Sequence, residues 1–69
     1  MKLSARNQIP GNITEIKEGS VNGIVVLDIG GGHKISSTIS MDAIKELRLK
    51  PGMKAYAVIK ATSVVIGVD

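Results

Sequence analysis

Cysteine, phenylalanine and tryptophan do not occur in this sequence of 69 residues, and histidine and tyrosine occur once each. Without thiols there is no disulfide framework, and a lone imidazole, His33, offers no ligand set for a structural zinc ion, so no metal cation is expected to be held directly. The shortage of aromatics removes the surface on which single-stranded nucleic acids stack their bases, leaving Tyr56 alone. Glu15, Glu18, Asp28, Asp42 and Glu46 are spread without a paired spacing for acid–base work, and no cysteine or histidine accompanies a serine in a nucleophile motif. No catalytic residue, no catalytic cofactor and no enzymatic activity are therefore expected. No apolar run approaches the roughly 20 residues of a membrane span. The opening "MKLSARNQ" also lacks the apolar stretch of a secretory signal, so the chain is expected in the cytoplasm with no membrane partner.

Aliphatic side chains are plentiful: hydrophobic residues make up 43% of the chain. Residues 1–69 suffice for a single domain, and a domain of this size buries only about 60% of the surface its unfolded chain exposes. With disulfides and metals excluded, self-association remains as the stabiliser, and part of the aliphatic excess is expected to face a partner subunit. The formal net charge of +3 favours anionic partners. Lys17, Lys34, Lys45, Arg48, Lys50 and Lys54 are nonetheless scattered, as on a solvated surface.

Periodicity and turn residues place five short strands and one short helix. Residues 12–17 alternate, with Ile13 and Ile16 apolar, and "KEGSVNG" supplies a turn. Residues 24–29, "IVVLDI", read as a strand buried on both faces. The glycines of "GGGHK" close it as a hairpin against residues 34–40, a plain turn rather than a phosphate cradle because no helix follows it. In "SMDAIKEL" Ser40 is the expected N-cap, Asp42 suits the first turn, and Met41, Ile44 and Leu47 form one apolar stripe, until "KPG" stops the helix. Residues 53–60 and 64–68 read as two further strands, separated by a polar break. This order matches a small Greek-key barrel of the oligonucleotide-binding type, a mainly β fold with one helix.

Two stretches carry the chemistry. In "LSARNQIPG", if extended, Ser4 and Arg6 share a face, joining a hydroxyl to a rigid fork of guanidinium donors. In "IKATS", if extended, Lys60 and Thr62 do the same beside the backbone amides of Ala61 and Thr62. Both mix one cation with hydroxyls and small residues, which lets an oxyanion approach backbone N–H groups. In a closed barrel the first and last strands often lie close, so the two stretches are expected to converge, either within one chain or between chains.

These residues resemble a known family. "SARNQ" at residues 4–8, the "GSV" turn, the "GGG" hairpin, "TIS" before the helix, the "PG" turn and the closing "VIKATSVVIG" look like the molbindins, small molybdate-binding proteins also called Mop domains. The likeness spans essentially the whole chain, and "SARN" followed some fifty residues later by "KAT" is its most specific part. It implies an oligonucleotide-binding-type barrel assembled into a hexamer, a trimer of dimers, with molybdate or tungstate held at subunit interfaces for storage or homeostasis. By position, Ser4, Ala5 and Arg6 would contact the anion with Lys60, Ala61 and Thr62, and Ser40 would contribute from a neighbouring chain. Where relatives often carry a serine three residues after Ser40, this chain has Ala43, which removes one hydroxyl donor. A second anion site near the threefold axis would fall around Gly19, Ser20, Val21 and Asn22. Two other readings compete: a small basic nucleic-acid-binding barrel, which lacks clustered cations and aromatics, and a ligand-free oligomerisation module, which leaves Ser4, Arg6, Lys60 and Thr62 unexplained.

Overall fold

The computed structural model describes residues 1–69 and contains four strands: β1 (Asn7–Lys17), β2 (Asn22–Gly30), β3 (His33–Ser40) and β4 (Lys54–Ile59). Helix α1 (Met41–Glu46) links β3 to β4, and a 3₁₀ turn, Ala61–Ser63, follows β4. The strands form one antiparallel sheet in the order β3-β2-β1-β4. Its edges, β3 and β4, do not pair, so the sheet is a curled half-barrel of the oligonucleotide-binding type with four strands rather than five.

One long strand organises this sheet. The N-terminal half of β1 pairs with β4, from Asn7 opposite Ile59 to Asn12 opposite Lys54, and its C-terminal half pairs with β2, from Asn12 opposite Asp28 to Lys17 opposite Ile24. Pro10 sits in the first half, beyond the reach of the β2 ladder, so its missing N–H interrupts no pairing there. A bulge at Thr14 shifts the register between Ile13 and Glu15. The extra residue turns both Ile13 and Ile16 inward although they stand three apart, a spacing that strict alternation would place on opposite faces.

The hairpin from β2 to β3 forms as expected. Gly31 and Gly32 make its two-residue loop with φ of +61° and +80°, the left-handed backbone that matches strand twist. Asp28 steadies its shoulder by accepting the Gly30 N–H at 2.9 Å. The core lies on one face of the sheet: Ile13, Val25, Leu27 and Ala57, covered by Met41 and Ile44 of α1. The helix packs this closely because position 23 is glycine. A Cβ there would stand 2.6 Å from Ile44 Cδ1, 2.9 Å from Met41 Sδ and 3.1 Å from the Lys17 carbonyl oxygen.

Helix α1 ends earlier than the "KPG" signal. Arg48 takes φ +54°, its N–H donates to Lys45 O at 3.1 Å, and the Leu49 N–H reaches Ile44 O at 3.0 Å. This is the Schellman arrangement, with arginine where glycine is usual. Leu49 thereby packs against the core, and Leu47, expected on the apolar stripe, is 61% exposed at the cap instead. "KPG" forms a separate turn that leads into β4, with Gly52 at φ +89° and its N–H donated to Ile13 O at 2.7 Å.

Three more expectations change. Strand β2 is covered on one face only, and Ile24 is partly exposed, because a half-barrel has one interior. Residues 3–6 lie outside any strand, and β1 begins at Asn7. Residues 64–68 form no strand: the 3₁₀ turn diverts the chain after β4, and Val65, Ile66 and Val68 stand 87%, 84% and 92% exposed. The open side between β3 and β4 is an apolar groove of about 350 Å³ floored by Ile13, Val25 and Leu27. No helix is long and apolar enough to cross a membrane.

Gly23→Ala is expected to lower stability by about 1–3 kcal/mol through overpacking against α1. Thermal or urea unfolding checks this; an unchanged midpoint would show that the helix seats without needing the missing side chain.

Candidate functional site

The two chemical stretches meet because β1 and β4 are antiparallel. Asn7 opposite Ile59 closes their ladder. The segment just before Asn7 and the segment just after Ile59 therefore leave the sheet at the same end. A recess of about 210 Å³ forms there, lined by Ser4, Ala5, Arg6, Lys60, Ala61 and Thr62. All six residues expected at a primary anion site from these two stretches are brought together within one chain.

Local geometry differs from the extended forms expected of both stretches. Residues 4–6 make a bent arm, and Lys60 caps the 3₁₀ turn with extended φ and ψ of −62° and 134°. The turn consumes the Ser63 N–H, donated to Lys60 O at 2.9 Å, and the Val64 N–H, donated to Ala61 O at 3.2 Å. The N–H groups of Ala61 and Thr62 donate to no group within the chain, and neither does that of Arg6. The recess thus offers free backbone donors, two hydroxyls, a guanidinium and an ammonium, and no acidic residue lines it. Five of the six lining residues are exposed and Ala5 is half-buried, so the chain supplies one wall and leaves the other side open.

Ser40 lies elsewhere, opposite Asn22 at the end of β3. Its Oγ accepts the Ala43 N–H at 3.0 Å, the expected N-cap of α1. The accepting lone pair is used, and the hydroxyl hydrogen is free to donate outward. Gly19 and Asn22 line a second recess of about 320 Å³ with Lys17, Glu18, Gly23 and Thr38. Ser20 and Val21 are on the adjoining turn and do not line it; the Val21 carbonyl is engaged by the Met41 N–H at 2.8 Å. Glu18 in its wall opposes an anion. The largest depression, about 560 Å³ and shallow, sets Asp28 beside Lys54 and is equally unsuited to a dianion. Nowhere do three or more His, Cys, Asp or Glu side chains gather around a possible metal position.

One residue at the site was not foreseen. Gln8 Nε2 donates to Ala5 O at 3.0 Å. Alternation marks Gln8 only as an exposed polar residue of β1, and its sole sequence signal is its place at the end of "SARNQ".

Residues 3–66 match the TOBE domain. A "Probable molybdenum-pterin-binding protein" of Haemophilus influenzae is 59% identical over 69 residues, the full length of both chains. Among solved structures, a molybdate-binding protein from Sporomusa ovata is 34% identical, with a TM-score of 0.92 over 99% of this chain and 100% of that one. The cytoplasmic molybdate-binding protein ModG, in a form with molybdate bound, is 46% identical with a TM-score of 0.94; it is matched by 100% of this chain, which spans 49% of its length. These relatives are binding proteins.

The capping role of Ser40 gives a test that needs no ligand. Ser40→Ala is expected to destabilise the ligand-free protein by about 1 kcal/mol through loss of the cap. Denaturant titration reads the change; no loss would show that the Ala43 N–H is equally well served by water.

Proposed function

The chain belongs to the TOBE domain family, in the group of the molybdenum-pterin-binding proteins or molbindins, and from that premise we propose that it binds molybdate, and tungstate with it, for intracellular storage or homeostasis. Ser4, Ala5 and Arg6 hold the anion from one side of the recess, and Lys60, Ala61 and Thr62 hold it from the other. The observation that carries this reading is their convergence on one recess that has only donors in its walls.

Molybdate at neutral pH is a tetrahedral dianion that binds without being transformed. It needs several converging N–H and O–H donors with moderate positive charge, and no acid, base or nucleophile. The recess meets that description, which supports binding rather than enzymatic activity. Its open outer side supports a position at a subunit interface, where a second chain supplies the missing wall and strips water from the charges. The hydroxyl hydrogen of Ser40 is one donor that a neighbouring chain can bring.

The assembly is a hexamer built as a trimer of dimers, with residues 1–69 as one binding unit per chain. The apolar groove between β3 and β4 and the exposed aliphatics at residues 64–68 are the surfaces that association covers. A ligand bound only by the assembled form stabilises it by mass action. A cytoplasmic location agrees with the description of ModG. At the recess lined by Gly19 and Asn22, with Ser20 and Val21 on the adjoining turn, Lys17 is the one cation and Glu18 opposes it, so a second anion bound there is held more weakly than at the first recess. A nucleic-acid role is disfavoured because Tyr56, with Lys54 Nζ 5.9 Å from its ring centroid, is the only aromatic residue.

Calorimetric titration of the purified oligomer with molybdate, tungstate, sulfate and phosphate tests this function. Saturable binding of the first two in preference to the others is expected. Arg6→Ala should weaken molybdate binding by about 1.5–3 kcal/mol, roughly ten- to a hundredfold, by removing a charge-assisted donor. Absence of heat with all four anions, from folded protein free of bound molybdenum and tungsten, would overturn the proposal and leave a ligand-free oligomerisation module.

A further inference from the structure

The arm at residues 4–6 supplies half of the recess, yet almost nothing fixes it. Residues 1–6 lie outside every strand and helix, and none of them enters a backbone–backbone hydrogen bond. Their only hydrogen bond is the one from Gln8 Nε2 to Ala5 O, at 3.0 Å. Gln8 itself is anchored, because it belongs to β1 and pairs with Val58 of β4. We propose that Gln8 is the positioning residue of the anion site, its side-chain amide tying the arm to the sheet so that Ser4, Ala5 and Arg6 stay against the recess. This inference rests on the oxyanion reading of the recess and names what holds that site in shape.

The geometry of the peptide group gives this bond its directional effect. In a trans peptide the carbonyl and the following N–H point in opposite directions, and the chain contains no cis bond. Holding Ala5 O toward Gln8 therefore holds the Arg6 N–H away from Gln8. Gln8 does not line the recess, whereas residues 4–6 do. A carbonyl oxygen turned into an anion site repels its ligand; engaged by Gln8, it is turned out of the way and its partial charge is satisfied. The bond also lowers the ordering entropy that the anion would otherwise have to overcome when it captures a free arm.

The length of the side chain matters. Gln8 reaches back three residues with a donor at its end. Methionine has similar length without a donor, and glutamate places a carboxylate against the same carbonyl. Gln8→Met should weaken molybdate binding about three- to tenfold, the range expected from losing one hydrogen bond at an exposed position. Gln8→Glu should weaken it further, since it adds a negative charge beside an anion site. Neither change touches the core, so the ligand-free melting temperature should stay near that of the wild type.

The test combines three measurements on the full chain. Calorimetry gives the molybdate affinity of wild type, Gln8→Met, Ser4→Ala and the double variant. Amide exchange by NMR reports the Arg6 N–H in the molybdate-bound protein, and a melt reports folding. Positioning through the arm predicts a weakened Gln8→Met with a normal melt, faster Arg6 exchange, and a double variant that loses less than the product of the two single losses. A Gln8→Met affinity equal to wild type, or losses that multiply independently, would overturn the positioning role while leaving molybdate binding in place. Absence of binding by the wild type would overturn the oxyanion reading and this inference together. Should Gln8→Met melt early, Gln8→Glu read by the same exchange and affinity measurements decides the question.

Discussion

The pairing of β1 with β4 is the constraint on which the site depends. Two segments more than fifty positions apart in sequence become neighbours only because Asn7 stands opposite Ile59 at the end of an antiparallel ladder. The arm before that pair carries Arg6, and the turn after it carries Lys60. The same strand, β1, continues past Asn12 to pair with β2, so the element that positions the recess also carries Ile13, the most deeply buried side chain. The bulge at Thr14 makes both tasks compatible by bending the strand and resetting its inward face. A slip of one residue between β1 and β4 would put Ile9 and Ala57, directly opposed on the inner face, on opposite faces of the sheet and shift the arm relative to the turn.

Size shapes the rest. Six apolar residues form the buried core, and a groove stays open along one side of the half-barrel. The chain also exposes Val65, Ile66 and Val68 at its end. A chain with so little interior is poorly suited to enclosing a ligand alone, and its recess has a wall on one side only. In the proposed assembly, association and anion binding would address the same shortage: a second chain would cover apolar surface and complete a cavity, and the anion would offset the repulsion between cations drawn together there. The charge arrangement fits this division. Arg6 and Lys60 meet at the recess, while the remaining basic residues are distributed over the surface, where they raise no concentrated field for a nucleic acid.

Much of this was legible in the sequence, and the exceptions have physical causes. The glycine hairpin, the Ser40 cap and the inward Ile13 follow from local rules, because each depends on a few adjacent residues. The meeting of the two stretches was also readable, from the closeness expected of the first and last strands of a barrel, and Ser4, Ala5, Arg6, Lys60, Ala61 and Thr62 do line one recess. What escaped was how the chain leaves its regular elements after β4 and at the end of α1. "IKATS" has the composition of a strand end, yet it closes into a 3₁₀ turn, and the aliphatic run behind it finds no edge within its own chain. Leu47 fits a helical stripe that stops one residue too early, because Arg48 accepts a left-handed conformation usually left to glycine. Gln8 escaped for a different reason: its bond to Ala5 depends on a bend in the arm that alternation does not report.

Diffraction from crystals grown with molybdate, recorded above the molybdenum absorption edge, is the most direct measurement of the central claim. An anomalous peak between residues 4–6 and 60–62, with donors of those residues as its nearest neighbours and a second chain on its outer side, is the predicted result. A fully occupied peak elsewhere with that recess empty, or no peak in crystals that diffract well, would contradict the account.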